Sequence, residues 1–210
     1  MNWSGKHRWL RLWRTVGASG DAAPWYDRLT RAYGEPHRHY HNLQHIAECL
    51  AEFDAARSVM HPSAAVELAL WFHDAVYDPR AEDNEEQSAA MARHCLEAAG
   101  VSRLAAPVSD LVMATKAHRG EAGPDSVLVV DIDLSILGQG EHRFSEYEAQ
   151  IRAEYGWVPQ AIFNSKRAQI LERFLARRHI YTTHVFAAKY EEQARRNLEN
   201  SILKLKDVPG

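Results

Sequence analysis

The sequence predicts an all-α fold, and three observations predict it. Apolar residues recur at i, i+3, i+4 and i+7 through most of the chain, the spacing that gives a helix one buried face. Helix punctuation brackets these runs: Pro24, Asn42, Ser63 and Pro159 stand at openings, and Gly17, Gly34 and Gly100 at ends. One stretch, Ser126–Gly138, would read as a strand by propensity. It stands nearly alone, and a strand needs a partner, so it reads as a helix crossing the core.

In order, the spacing predicts a helix over about 4–17, carrying Trp9, Leu12, Trp13 and Val16. A second holds Trp25, Leu29 and Tyr33, and Gly34-Glu35-Pro36 breaks it. Asn42 is placed to cap a third with Leu43, Ile46, Leu50 and Phe53 on its apolar side. Pro62-Ser63 opens a fourth, in which Val66, Ala69, Leu70 and His73 share a face. The acidic run Glu82–Glu86 suits the N-terminus of a fifth, closed by Gly100. A sixth covers Pro107 to about Lys116, followed by a loop over 119–125 and the 126–138 run. Ser145 is expected to cap a helix through Tyr155, Pro159 to open one through about Arg178, and the last helix to run from about Thr183 to Leu205.

The chain has 210 residues, 46% of them hydrophobic, enough for one domain with a sizeable core. A net charge of −3 supplies no polycation, which argues against binding long nucleic acid through its phosphates. Cys49 and Cys95 lie far apart with no CxxC, as in a reduced, cytoplasmic chain. No run approaches a membrane span, and Met1–Arg8 has no apolar signal region, so a soluble protein without membrane partners is expected. The Trp-rich N-terminus either completes the core or forms a homodimer contact.

Histidine is the unusual count, at 12. Four lie in Pro36–Ile46, together with Arg38 and Tyr40. His37 and His39 read as solvated loop residues, whereas His41 and His45 are four apart and share a face if the helix has begun by His41. His73-Asp74 sits in the apolar stretch Trp71–Tyr77. Imidazole nitrogen and carboxylate oxygen both ligate divalent transition metals, and an ionisable pair in apolar surroundings needs such compensation. Asp131 and Asp133 interrupt the apolar run at 126–138 and need a cation or donors near them.

Together, His45, His73-Asp74 and a late Asp resemble the HD superfamily of metal-dependent phosphohydrolases. The likeness extends along the chain to an uncharacterised branch of predicted HD phosphohydrolases. It rests on Arg38-His39-Tyr40-His41 with His45, Phe72–Tyr77, Asn84-Glu85 with Ser88, Thr115 with His118, and Asp131–Gly138. Arg167, Tyr181 and Ala194–Leu198 extend it toward the C-terminus. The resemblance implies one HD-like helical bundle over 1–210, with a core at about 36–140, helices at about 141–205 packed on it, and the metal site in the core between helices.

It also implies roles. His45, His73 and Asp74 match the first three ligands, and Asp133 the fourth, with Asp131 the alternative. Glu85 is the candidate for water activation, with Asp78 behind it. Arg38, His41, His118 and Arg167 are candidates for holding the phosphoryl group. The expected cofactor is one divalent transition metal, Mn, Co, Ni, Zn or Fe, which polarises a phosphoryl oxygen and acidifies water. The expected substrate is a small phosphorylated metabolite, with nucleotides the commonest guess. Two other readings stand beside it. A di-iron oxygenase would use two further His, of which His94 and His118 fall in the right interval. A non-catalytic HD module would bind metal or nucleotide alone.

Overall fold

Helix α4, Ala64–Phe72, is buried at every position from Ala65 to Phe72. A helix apolar all round must be enclosed by others. In the computed structural model, which describes residues 5–118, 120 and 123–207, α1, α3, α5 and α6 pack on it. These are Gly5–Thr15, Leu43–Met60, Asn84–Ala98 and Ala105–Ala117, with α2 at Ala23–Ala32 against α1. The one acid of α4, Glu67, accepts from Arg8 Nε at 2.7 Å, and Arg8 also meets Asp54 of α3 at 2.5 Å. Trp9 stands edge-on to Trp71 at 5.6 Å and to Phe72 at 6.0 Å, and its indole N–H donates to Ala22 O. The N-terminal tryptophans Trp9 and Trp13 are therefore part of the core.

The backbone gathers into two units, one ending at Ile132 and the other starting at Asp133. The first holds α1 to α6 and nine of the ten residues of α7, Pro124–Asp133. The second holds a 3-10 segment, Leu134–Gly138, and helices α8, α9 and α10 at Glu141–Glu154, Gln160–Leu175 and His184–Asp207. Within it, α10 packs on α9 and on the 3-10 segment. Asn197 of α10 donates to Leu137 O and Gln139 O, both at 2.8 Å, and Tyr181 OH donates to Leu134 O at 2.9 Å. Glu148 of α8 accepts from Arg167 of α9 at 2.5 Å and from Ser201 of α10 at 2.8 Å, fastening three helices at one carboxylate.

All regular structure among the described residues is helical, including the strand-like run at 126–138, which forms α7 and the 3-10 segment. Two boundaries differ from expectation. Helix α8 starts at Glu141, not at Ser145: Gly140 is extended and accepts from Phe144 N at 3.0 Å, an opening Glu141 favours, and Ser145 lies a turn inside, exposed. Helix α9 stops at Leu175 because Arg195 of α10 donates to the carbonyls of Leu175, Arg177 and Arg178, supplying the partners that another turn would have supplied. Of the expected loop at 119–125, residues 119, 121 and 122 lie outside the described residues, as does Ser4. No described helix is long and apolar enough to cross a membrane.

Gly138 lies directly under α10. A Cβ there would stand 2.5 Å from Tyr190 Cβ and 2.8 Å from Tyr190 O. Gly138→Ala should therefore lower unfolding stability by about 2 kcal/mol, an overpacking effect, measured by urea denaturation. An unchanged midpoint would mean that α10 does not approach this closely.

Candidate metal centre

The site begins where α4 ends. The last four carbonyls of a helix have no partner within it. Here each finds one: Ala69 O accepts from His73 N at 2.8 Å, Leu70 O from His73 Nδ1 at 3.1 Å, Trp71 O from Tyr33 OH at 3.0 Å, and Phe72 O from Ala75 N at 2.9 Å. Arg38, buried, takes two more in the turn beyond, donating to Asp74 O at 2.5 Å and Ala75 O at 3.1 Å. It also donates to His41 O at 3.2 Å and meets Glu35 at 2.9 Å. One guanidinium thus ties the loop before α3 to the turn after α4, a fork that a lysine cannot reproduce.

The bond to Leu70 O fixes the tautomer of His73. A carbonyl only accepts, so Nδ1 carries the proton and Nε2 of the neutral ring presents its lone pair. Such a backbone anchor is the usual outer partner of a metal-ligating imidazole. His45 comes from the first turn of α3, opened by Asn42, whose side chain accepts from Gln44 N at 2.8 Å. His45 is 2% exposed and His73 is 1% exposed. Their Nε2 atoms are 3.0 Å apart. Asp74 Oδ2 is 3.0 Å from His73 Nε2 and 3.5 Å from His45 Nε2. Burial pushes the Asp74 carboxyl upward, but in the metal-free site, with His73 and His41 protonated, their charges and hydrogen bonds from His45 and His73 hold it well below the usual carboxylate range; the neutral His73 ring is the form that would ligate a metal.

Two further donors complete the group. Cys49, one turn along α3 from His45, has Sγ 3.7 Å from both ring nitrogens of His45. Asp133 is the last residue of α7, whose preceding nine residues belong to the same unit as α3 and α4, so that helix carries its carboxylate. Ligand atoms of His45, Cys49, His73 and Asp133 all lie within 4.8 Å of one another. Asp131, two residues earlier on α7, is buried and stands outside this group; so does Asp74, which approaches the two imidazoles.

These spacings suit a metal ion. With metal–donor bonds of about 2.0–2.3 Å, two nitrogens on a tetrahedral ion lie roughly 3.3 Å apart, and a nitrogen and a sulfur roughly 3.6 Å. The charge balance agrees. Asp74 follows the C-terminus of α4, so its carboxylate sits where the helix dipole opposes negative charge. A cation beside it would remove that conflict.

The remaining candidates are distributed as follows. His41 stacks on Tyr77 at 4.1 Å and lies edge-on to His45 at 6.2 Å. His118 caps α6 in the left-handed region, at φ 47°, a conformation uncommon outside glycine. Glu85 is half-buried in the first turn of α5. Asp78 is exposed, and its side chain accepts from Arg80 N at 2.9 Å within the 78–84 turn. Arg167 belongs to the second unit, where it pairs with Glu148 and lies over the Tyr147 ring at 5.0 Å. His94 is exposed on α5, edge-on to Trp25 at 5.8 Å. Cys49 was not expected. The signal was the four-residue spacing from His45, which puts both on one helix face, but a cysteine far from its only fellow reads as an ordinary core thiol.

No family model, curated protein or solved structure matches this chain.

Arg38 is the residue whose loss this geometry makes most damaging. Arg38→Met should remove the donors from one buried carbonyl, at 75, and two part-buried ones, at 41 and 74, and lower stability by about 2 kcal/mol, read from chemical denaturation of metal-free protein. A loss below about 0.5 kcal/mol, the range of ordinary surface changes, would contradict the tie described here.

Proposed function

We propose that the chain is a metal-dependent phosphohydrolase of the HD type, acting on a small phosphorylated metabolite such as a nucleotide. One observation carries this reading: of the four residues the HD resemblance singles out, His45, His73 and Asp133 bring their donor atoms within 4.8 Å of one another, and Asp74 Oδ2 lies 3.0 Å from His73 Nε2 and 3.5 Å from His45 Nε2. Mixed imidazole and carboxylate donors suit a divalent transition metal. Bound there, the ion would supply a Lewis acid for a phosphoryl oxygen and would acidify water.

The chain's own residues do the rest. His73 keeps its Nε2 lone pair aimed at the centre because Leu70 O holds the opposite nitrogen. Asp74 Oδ2 lies 3.0 Å from His73 Nε2 and 3.5 Å from His45 Nε2, so its carboxylate faces the same centre as both imidazoles. Arg38 fixes the relative placement of the His41–His45 segment and the His73-Asp74 turn, which is positioning rather than chemistry. His41, held by stacking on Tyr77, offers a ring N–H toward an anionic phosphoryl group. Glu85 is assigned the removal of a proton from the attacking water.

The test is phosphate release over nucleoside mono-, di- and triphosphates and sugar phosphates, after stripping the protein and reloading Mn, Co, Ni, Zn or Fe(II) singly. The reading expects turnover only with metal. Asp74→Ala should abolish it together with metal retention, and Glu85→Gln should lower kcat about 100-fold while metal stays bound. Phosphate release by none of the five metal-loaded forms would leave a metal-binding module, and loss of metal in Glu85→Gln would recast Glu85 as a ligand.

A further inference from the structure

We propose that Cys49 is itself a ligand of this centre, making it a site for a thiophilic divalent ion, zinc, cobalt or iron(II), in preference to magnesium or manganese. The inference rests on the reading that the cluster holds a metal, and it narrows which metal.

The placement of Cys49 follows from α3. Residues four apart on a helix share a face, so burying His45 toward His73 buries Cys49 beside it. Cys49 is 1% exposed. Its sulfur lies 3.7 Å from both His45 Nδ1 and His45 Nε2, and the distance to Nε2 is close to the roughly 3.6 Å that separates nitrogen and sulfur on a tetrahedral zinc. It is not a cysteine alone in a core. Its Sγ belongs to a group with His45, His73 and Asp133 whose donor atoms are all mutually within 4.8 Å. Neither cysteine is engaged in a disulfide.

Cys95 supplies the internal contrast. It is as buried as Cys49, on α5, and burial pushes its thiol up to about 12. Yet it belongs to no metal-ligand group among the described residues. Burial alone therefore does not bring a cysteine to a cluster of His and Asp donors; the position on α3 does.

Ligation changes the chemistry of the site. The thiol gives up its S–H proton to solvent as the sulfur–metal bond forms, with no change of oxidation state. Thiolate favours soft and borderline ions, whereas carboxylate, carbonyl and water ligands suit magnesium and manganese. A centre with His45, His73, Cys49 and a carboxylate from Asp74 or Asp133 would discriminate against the hard ions that compete in a cell.

The experiment is cobalt(II) titration of the stripped full-length protein, followed by absorption. The wild type should show visible ligand-field bands and a near-ultraviolet sulfur-to-cobalt charge-transfer band. Cys49→Ser should keep the visible bands and lose the charge-transfer band, with zinc affinity falling about tenfold or more and manganese affinity unchanged. Cys95→Ser should keep both bands. X-ray absorption of the zinc-loaded wild type needs no variant and should show one sulfur at about 2.3 Å. Bands without charge transfer, or a zinc shell without sulfur, would overturn the role of Cys49 and leave the His and Asp centre standing. A wild type that takes up no cobalt would overturn the metal centre itself.

Discussion

A helix buried on every side has no water to receive its last carbonyls, so its neighbours must supply the donors. Helix α4 meets this constraint with three groups of very different kinds. The His73 backbone and ring take two carbonyls, Tyr33 takes one, and Arg38 follows the chain beyond the helix to Asp74 and Ala75. The same bonds that end the helix therefore aim the imidazole and set the Asp74 carboxylate. Site geometry and core stability are held by one set of contacts. That is why the Arg38 guanidinium, bonded to the Asp74 backbone, matters to the centre.

The second consequence is electrostatic. Asp74 stands just past the C-terminus of α4, and His45 and His73 bring their Nε2 atoms within 3.0 Å of each other. A carboxylate at a helix end in apolar surroundings is unfavourable alone. A divalent ion there would attract the carboxylate and oppose the dipole end. The cluster is the arrangement expected where polar residues are kept in a core for binding rather than for packing.

Much of this was legible in the sequence. Local signals were reliable where they had mechanism: Asn42 caps α3, and the helix carrying His73 follows Pro62-Ser63. The run at 126–138 was a matter of topology, since its Val and Ile content favours a strand and only the missing partner argued for a helix. Ser145 misled because Gly140 already provided an extended residue where α8 opens. Arg195, which ends α9, could not be foreseen, because its partners are carbonyls 17 to 20 residues away in the chain. Cys49 was visible in spacing and invisible in meaning: without the fold, nothing says that the α3 face bearing His45 looks at His73.

The central claim is that His45, His73 and Asp74 bind one ion in common. Anomalous diffraction at the zinc edge, from crystals of zinc-loaded protein, tests it most directly. The account predicts a single strong peak within bonding distance, about 2.0–2.2 Å, of His45 Nε2, His73 Nε2 and an Asp74 oxygen. A peak bound elsewhere, or zinc-loaded crystals with no peak among these three residues, would contradict it.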